Sequence, residues 1–529
     1  MMKKIGLALL SGLLFIASWP TYGFPFLIFL AFVPLLYLAF KEREKKTRFR
    51  NWRVFGLAYL AFFTWNIGTT YWLYFSTPFG AAFAIIINSL LMALVFQFYH
   101  LIAYRVNSIA SISFFIALWL SFEKMHLGWE FSWPWLNLGN VFSEYTSLIQ
   151  WYEYTGTFGG SLWILFINAF VFKSLLLYWQ HGKKPIIYRR SFYLVLLMLN
   201  PIVISWAILN KQPQYEQSKK ILIVQPNIDP YKEKYNFTDT EIKKLILQSI
   251  QKKLNDSIDL VVLPETVFAN GTKIDQLQNA EVTRLSNQLQ DQYPNLSILS
   301  GISLYKIIRN ENKTSPQSNF LRDGIWFNDY NAAYFQAADG ESDLYYKSKL
   351  VVGVENFPYK SALEPILGDI MIDLGGTVAM KTTQADREVF SIDKQTQTAP
   401  IICYESVYGE YVGNYVKNGA DFLSIITNDA WWQDTQGHQQ HWSYAKLRAI
   451  ETRKSIARSA NTGISGAIDP TGKVLDKTNY YEPAVIEVEI PVNQKLTFYA
   501  EHGDYIARIG YFLSLAIFLI AVFKRKSKV

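Results

Sequence analysis

One cysteine, Cys403, stands among 529 residues, so no intramolecular disulfide is available and cysteine spacing is silent on redox compartment. Histidine is scarce as well. Only His438 and His441, in "QGHQQH", fall within the long mixed stretch from about 218 to 493. Their spacing of three could suit a metal at a helix start, but no third ligand pattern accompanies it. A solvated or loop-anchoring role is expected, with no metal and no cofactor. Neither a GxGxxG after the first strand nor a Walker-type loop occurs, which leaves nucleotide binding without support. The apolar runs are nearly free of charge, Lys173 being the main exception. That disfavours a transporter, whose path would need intramembrane charges.

What the chain does have is apolar length: half of its residues are hydrophobic and 16% are aromatic. The net charge of +8 is concentrated in "MMKK" (+2) and in residues 41–53 (+5), 181–190 (+4) and 524–529 (+4), so the remainder is net acidic. Basic segments flanking apolar runs signal membrane topology, not a nucleic-acid face. Eight runs are candidate spans: 5–20, 24–40, 54–75, 80–104, 107–122, 158–180, 191–210 and 504–523. The first two are short against the ~20 residues a spanning helix needs. No small-x-small cleavage site precedes "WPTYG", and a second run follows at once, which favours an uncleaved hairpin over a signal peptide. With "MMKK" inside, eight crossings put every basic cluster on the cytoplasmic side and the stretch before the last span outside it. The expected architecture is a multi-pass α-helical bundle with an extracytoplasmic domain. Seven spans occupy 1–212, the domain 218–493, and the last span 504–523.

Within 218–493, short β-branched runs such as "KILIVQ" (220–225), "DLVVLPE" (259–265), "APIICYE" (399–405) and "DFLSIITND" (421–429) alternate with helical-period segments. Continuous apolar strands between helices indicate an α/β domain with covered sheets. Three strand ends carry chemistry: Glu265 after "LVVLP", Lys347 in "DLYYKSKL" and Cys403 after "APII". Each alone has a plain explanation: a helix-cap carboxylate, a surface lysine, a buried core thiol. Together they complement one another. A carboxylate can deprotonate a thiol. An ammonium can lower the thiol pKa and stabilise an oxyanion, with the Tyr404 N–H as a second donor.

Glu in "LPET", Lys in "YYKSKLV" and Cys in "ICYES", in that order, resemble the Glu-Lys-Cys triad of the nitrilase superfamily. Eight spans with such a domain before the last one resemble its membrane-embedded branch, the apolipoprotein N-acyltransferase family. "WPWLNLGN" (133–140), "IVQPNIDPYKEKY" and the long stretch 427–472 resemble further family segments. The resemblance implies an αββα sandwich of two sheets between helices. It implies Glu265 as general base, Cys403 as nucleophile and Lys347 as oxyanion stabiliser, with Glu355, Tyr404, Glu405 and Tyr235 in supporting or substrate-binding positions. It implies attack of Cys403 on the sn-1 ester of a phospholipid, typically phosphatidylethanolamine, giving an acyl-thioester. The acyl group then passes to the α-amino group of the diacylglyceryl-cysteine of an apolipoprotein. The implied setting is a monomer in the bacterial inner membrane, in contact with membrane lipid, its catalytic domain periplasmic. The chain departs from the pattern at Leu263, where the family commonly has Trp. It departs again in "LVVGVE", which lacks a proline, and near Tyr235, which takes a tryptophan's place. The competing reading is a membrane-tethered nitrilase-type amidase or hydrolase, in which water resolves the thioester.

Overall fold

Helices occupy each of the eight apolar runs in the unit formed by Met1–Tyr74, Pro78–Gln212 and His502–Val529. The computed structural model describes the whole chain except residues 46, 183, 212–214, 230–232, 234–235, 312–313, 366–378 and 524–529. Among the described residues, six helices are long and apolar enough to cross a membrane: Pro25–Arg43, Pro78–Ile102, Ser108–Gly128, Tyr152–Gln180, Ile187–Leu209 and Tyr505–Phe523. The other two expected spans are Met2–Ser18, only 17 residues long, and Arg50–Thr70, whose first turn carries Arg50, Asn51 and Arg53. The expectation of eight thus meets six that length and composition support.

Two buried polar side chains hold this unit where regular helix fails. Pro34 has no N–H, and the chain breaks step between Ala31 and Val33. Asn168 repairs the break: its Oδ1 accepts from the Phe32 N–H at 2.8 Å and its Nδ2 donates to the Ile28 carbonyl at 2.8 Å. Backbone groups freed within an apolar helix need such a partner. Glu123 does the same for the "WPWLNLGN" loop. Its carboxylate accepts from the Leu138 N–H at 2.9 Å, Ser161 Oγ at 2.6 Å and Trp119 Nε1 at 3.2 Å.

The second unit, Phe75–Thr77 with Pro213–Glu501, is built on two sheets. Its strands are β1 (Gln217–Gln225), β2 (Leu260–Val262), β3 (Phe268–Lys273), β4 (Ser297–Ile308), β5 (Asn319–Arg322), β6 (Ile325–Gln336) and β7 (Ser342–Tyr346). There follow β8 (Phe390–Ser391), β9 (Gln397–Ile402), β10 (Phe422–Thr427), β11 (Ile456–Ala460), β12 (Gly466–Ile468), β13 (Val474–Lys477) and β14 (Ala484–Val492). One sheet runs β14-β1-β2-β4-β6-β5, with β3 beside β4 and β7 beside β6; the other runs β13-β12-β11-β10-β9-β8. Alternation within single strands explains the layering. Ile221 and Ile223 of β1 pack with Ile401, Ile425 and Ala457 of the facing sheet. Leu222 and Val224 point the other way, onto Ile242 and Ile246 of the helix Asp239–Ile250 and Val282 and Leu285 of Glu281–Gln290. A strand buried on both faces must be apolar throughout, which is why "ILIV" shows no alternation. The helices Gly409–Lys417 and Gln436–Thr452 cover the second sheet, completing helix–sheet–sheet–helix.

The segment 441–460, "HWSYAKLRAIETRKSIARSA", keeps a helical period throughout, yet the structure divides it. The helix stops at Thr452, Arg453 turns into the left-handed region (φ +52°), and Ile456–Ala460 becomes a strand beside β10. Helical period persists through "KSIARSA", but the sheet needs a strand there.

Candidate active site

Glu265 follows β2, where the chain leaves the sheet under β4. Gly301 of β4 makes the crossing possible: a Cβ there would lie 2.3 Å from Thr266 N, 2.5 Å from the Pro264 carbonyl and 2.6 Å from Glu265 Cα. The Glu265 carboxylate is buried and hydrogen-bonded through both oxygens. Oε1 accepts from Lys347 Nζ at 2.9 Å and from Asn331 Nδ2 at 2.7 Å; Oε2 accepts from the Asn428 N–H at 3.1 Å.

Lys347 comes immediately after β7, its N–H tied to the Asn331 carbonyl at 2.8 Å. It is 1% exposed, not a surface residue. Its ammonium bridges Glu265 and Glu355, each at 2.9 Å, and Asn331 Nδ2 also reaches Glu355 at 3.0 Å. Burial alone would push this amine down, but Glu265 and Glu355 outweigh it and hold Lys347 well above its usual value. Glu355 is the mirror case. Burial would raise it; Lys347 and the Val351 N–H, at 2.9 Å, hold it below the usual carboxylate range. Two carboxylates and one ammonium leave the cluster with net charge −1.

Cys403 closes β9 and opens a short 3-10 turn, Cys403–Val407, at φ +50°. A side chain in the left-handed region stores strain, which surrounding contacts must hold. The thiol is buried, and its environment raises its pKa well above the usual cysteine value. Burial is the largest cause and the Glu265 charge the next; Lys347 opposes them, and a hydrogen bond with Thr427 helps it slightly. The sequence-based expectation that Lys347 lowers the thiol pKa therefore holds only for its own contribution. The resting sulfur is a neutral thiol, so it reacts only as a base removes its proton.

Glu405 fastens this turn to the lysine segment. Oε1 accepts from Tyr345 and Tyr411 hydroxyls and the Ser348 N–H, each at 2.7 Å. Oε2 accepts from the Ile402 N–H at 2.9 Å, one residue before the thiol. One carboxylate thus sets the Lys347 segment against the Cys403 turn. Tyr404 is buried, its ring edge-on to Tyr408 at 5.2 Å. Tyr235 lies outside the described residues.

The structure therefore brings Glu265, Lys347, Glu355, Cys403 and Glu405 together. It adds groups to which sequence reasoning gave no role: Asn331, which stitches both carboxylates, and the run Thr427–Asn428–Asp429, which touches the Cys403 thiol and the Glu265 carboxylate. An asparagine in a strand carries no spacing signal, so Asn331 was not recoverable; "TND" at a strand end was visible but unassigned. His438 and His441 are buried, not solvated. His438 stacks on Tyr480 with ring centroids 4.1 Å apart, and His441 anchors the turn behind Cys403.

The chain is similar in sequence to known families over most of its length. Residues 11–170 match the family model described as apolipoprotein N-acyltransferase N-terminal domain, and residues 220–495 match the carbon-nitrogen hydrolase model. An apolipoprotein N-acyltransferase of Chlorobaculum tepidum is 25% identical over 99% of this chain and 97% of its own. One from Pasteurella multocida is 26% identical over 99% of this chain and 96% of its own. Among solved structures, a mutant of the Nesterenkonia AN1 amidase from the nitrilase superfamily aligns at TM-score 0.37 and 15% identity. It covers 56% of this chain and 98% of that one.

Proposed function

We propose a reaction from one premise: the chain belongs to the carbon-nitrogen hydrolase family, with an apolipoprotein N-acyltransferase N-terminal domain ahead of the hydrolase part. The activity is transfer of an acyl chain from a phospholipid, through a Cys403 thioester, to the α-amino group of the diacylglyceryl-cysteine of apolipoproteins. The observation that carries the chemistry is the buried Lys347 ammonium held 2.9 Å from both Glu265 and Glu355 beside a neutral thiol.

In the first half-reaction Cys403 Sγ bonds to the ester carbonyl carbon as its proton passes to Glu265. An ammonium has three N–H groups; two serve Glu265 and Glu355, and the third faces the developing oxyanion with the Tyr404 N–H. Glu265 becomes neutral as the oxyanion becomes negative, so the cluster keeps its net charge through the step. That conservation matters in a buried site, where added charge is costly. Collapse breaks the ester C–O bond, the leaving alkoxide takes the proton from Glu265, and a lysophospholipid departs. In the second half-reaction the amine attacks the thioester, Glu265 takes an amine proton, and the thiolate leaves and is reprotonated. Amide replaces thioester.

The donor we assign is phosphatidylethanolamine and the acting form a monomer. The setting we assign is the bacterial inner membrane, with the catalytic domain periplasmic and Met2–Ser18 and Arg50–Thr70 crossing as well, for eight spans. Positive-inside charge placement supports that side. The test is intact mass of the full-length protein incubated with phosphatidylethanolamine. An acyl adduct on the wild type, absent from Cys403→Ser and discharged by a diacylated lipopeptide as an amide, is the expected result. An adduct that leaves only as free fatty acid shows a hydrolase instead.

A further inference from the structure

The turn that carries Cys403 is gripped from behind by a row of buried side chains. Ser406 Oγ donates to the Cys403 carbonyl at 2.7 Å. His441 Nε2 lies 3.0 Å from Ser406 Oγ and 3.2 Å from that same carbonyl oxygen. Its Nδ1 is 2.9 Å from Asp429 Oδ1, and Asp429 Oδ2 accepts from Arg458 Nη2 at 2.6 Å. Burial would raise the Asp429 carboxyl, but Arg458 and His441 outweigh it and keep the group an anion. Serine, histidine and aspartate at these spacings form a nucleophilic triad when the hydroxyl faces a substrate. Here Ser406 is only 1% exposed and its hydroxyl is spent on backbone, so the row is a brace.

What it braces is specific. The Cys403 carbonyl and the Tyr404 N–H belong to one planar peptide unit and point in opposite directions. Holding the oxygen on one side sets the direction of the N–H on the other. A hydrogen bond to the carbonyl also polarises the amide and strengthens its N–H as a donor. The left-handed backbone at Cys403 needs such a hold, since φ +50° is unfavourable for a side-chain-bearing residue.

We propose that Ser406, set by His441 and Asp429, is a positioning residue that aims the Tyr404 N–H at the oxyanion formed on Cys403. It rests on the acyl-transfer reading above and acts one layer behind the reacting atoms.

Two rates on the full-length protein test it, for Ser406→Ala, Ser406→Thr and His441→Gln. One is acylation of Cys403 by phosphatidylethanolamine, followed by intact mass. The other is alkylation of Cys403 by iodoacetamide at mildly alkaline pH, a displacement at saturated carbon that forms no oxyanion. Loss of a whole oxyanion donor costs roughly a hundredfold or more, so misaiming one predicts acylation down about tenfold to a hundredfold in S406A and H441Q. Alkylation and the KM for phospholipid stay at wild-type values, and S406T, which keeps the hydroxyl, recovers most of the acylation rate. Unchanged acylation in S406A overturns the proposal, as does alkylation that falls in step with acylation, because that pattern means general loss of packing. A wild type that never carries an acyl group on Cys403 overturns the underlying reading and this one with it.

Discussion

Replacing Glu265 with glutamine should make the thiol more acidic while it destroys acyl transfer. In the wild type, burial and then the Glu265 charge hold the Cys403 thiol up, and Lys347 only partly offsets them. Removing that like charge lowers the thiol pKa, because the thiolate no longer faces a second anion. The E265Q thiol therefore ionises at lower pH, and alkylation at a fixed pH below both pKa values rises about tenfold for each ~1.4 kcal/mol of repulsion removed. In the proposed mechanism the same substitution removes the group that receives the thiol proton and returns it to the leaving alkoxide. General acid–base assistance is worth about 10²–10⁴ in rate, so acyl transfer should fall by that factor. The protein should still fold: Lys347 keeps Glu355 at 2.9 Å, so no buried ammonium is stranded. The main new defect is the Asn428 N–H, which loses its acceptor; one such loss costs about 1–3 kcal/mol. Because Cys403 is the only cysteine, mass-resolved iodoacetamide labelling against pH reports this one thiol without further engineering. E265Q alkylation no faster than wild type at the same pH would refute the electrostatic account, and E265Q acyl transfer near the wild-type rate would remove Glu265 as the base.

Gly301→Ala places a Cβ within 2.6 Å of Glu265 Cα and closer still to two backbone atoms that cannot yield, so the Glu265 turn must move. Displacement of about 1 Å predicts roughly a hundredfold loss of acyl transfer, read directly in a lipopeptide assay. Lys454 is buried, and burial, only partly offset by Asp421, depresses its amine to about 8 from an ordinary 10.5. The unfolded chain then binds more protons between those values, so stability rises with pH from about 8 to 10.5. The full span is worth about 3 kcal/mol; thermal melts of Lys454→Met should lack that rise. Asn168→Leu strands the Phe32 N–H and Ile28 carbonyl and should lower the melting temperature in detergent by several degrees, at about 1–3 kcal/mol per unsatisfied group.

Much of this protein is written in local pattern. Apolar runs of helical length, basic clusters between them and uninterrupted "ILIV"-type strands depend only on the cost of placing each residue in hydrocarbon or between two layers. A linear string carries that information. The three strand-end residues Glu265, Lys347 and Cys403 were legible because chemistry restricts which residue types can cooperate. The tertiary structure decided the rest. Whether Lys347 is a solvated cation or a buried bridge depends on Glu355 and Asn331 arriving from other segments, and whether Cys403 rests as thiol or thiolate depends on the sum of burial and charge around it. His441 reads in sequence as solvated or loop-anchoring; it is buried and anchors a turn, and what it anchors became visible only when β9 and β10 brought Ser406 and Asp429 to it. Arg453 ends a helix whose periodicity runs on, because the sheet's need for a strand outweighs local preference. Among the described residues, length and composition support six of the eight expected spans. Composition prices each residue separately, whereas proton affinity and backbone direction are set by neighbours distant in sequence, which only the folded chain assembles.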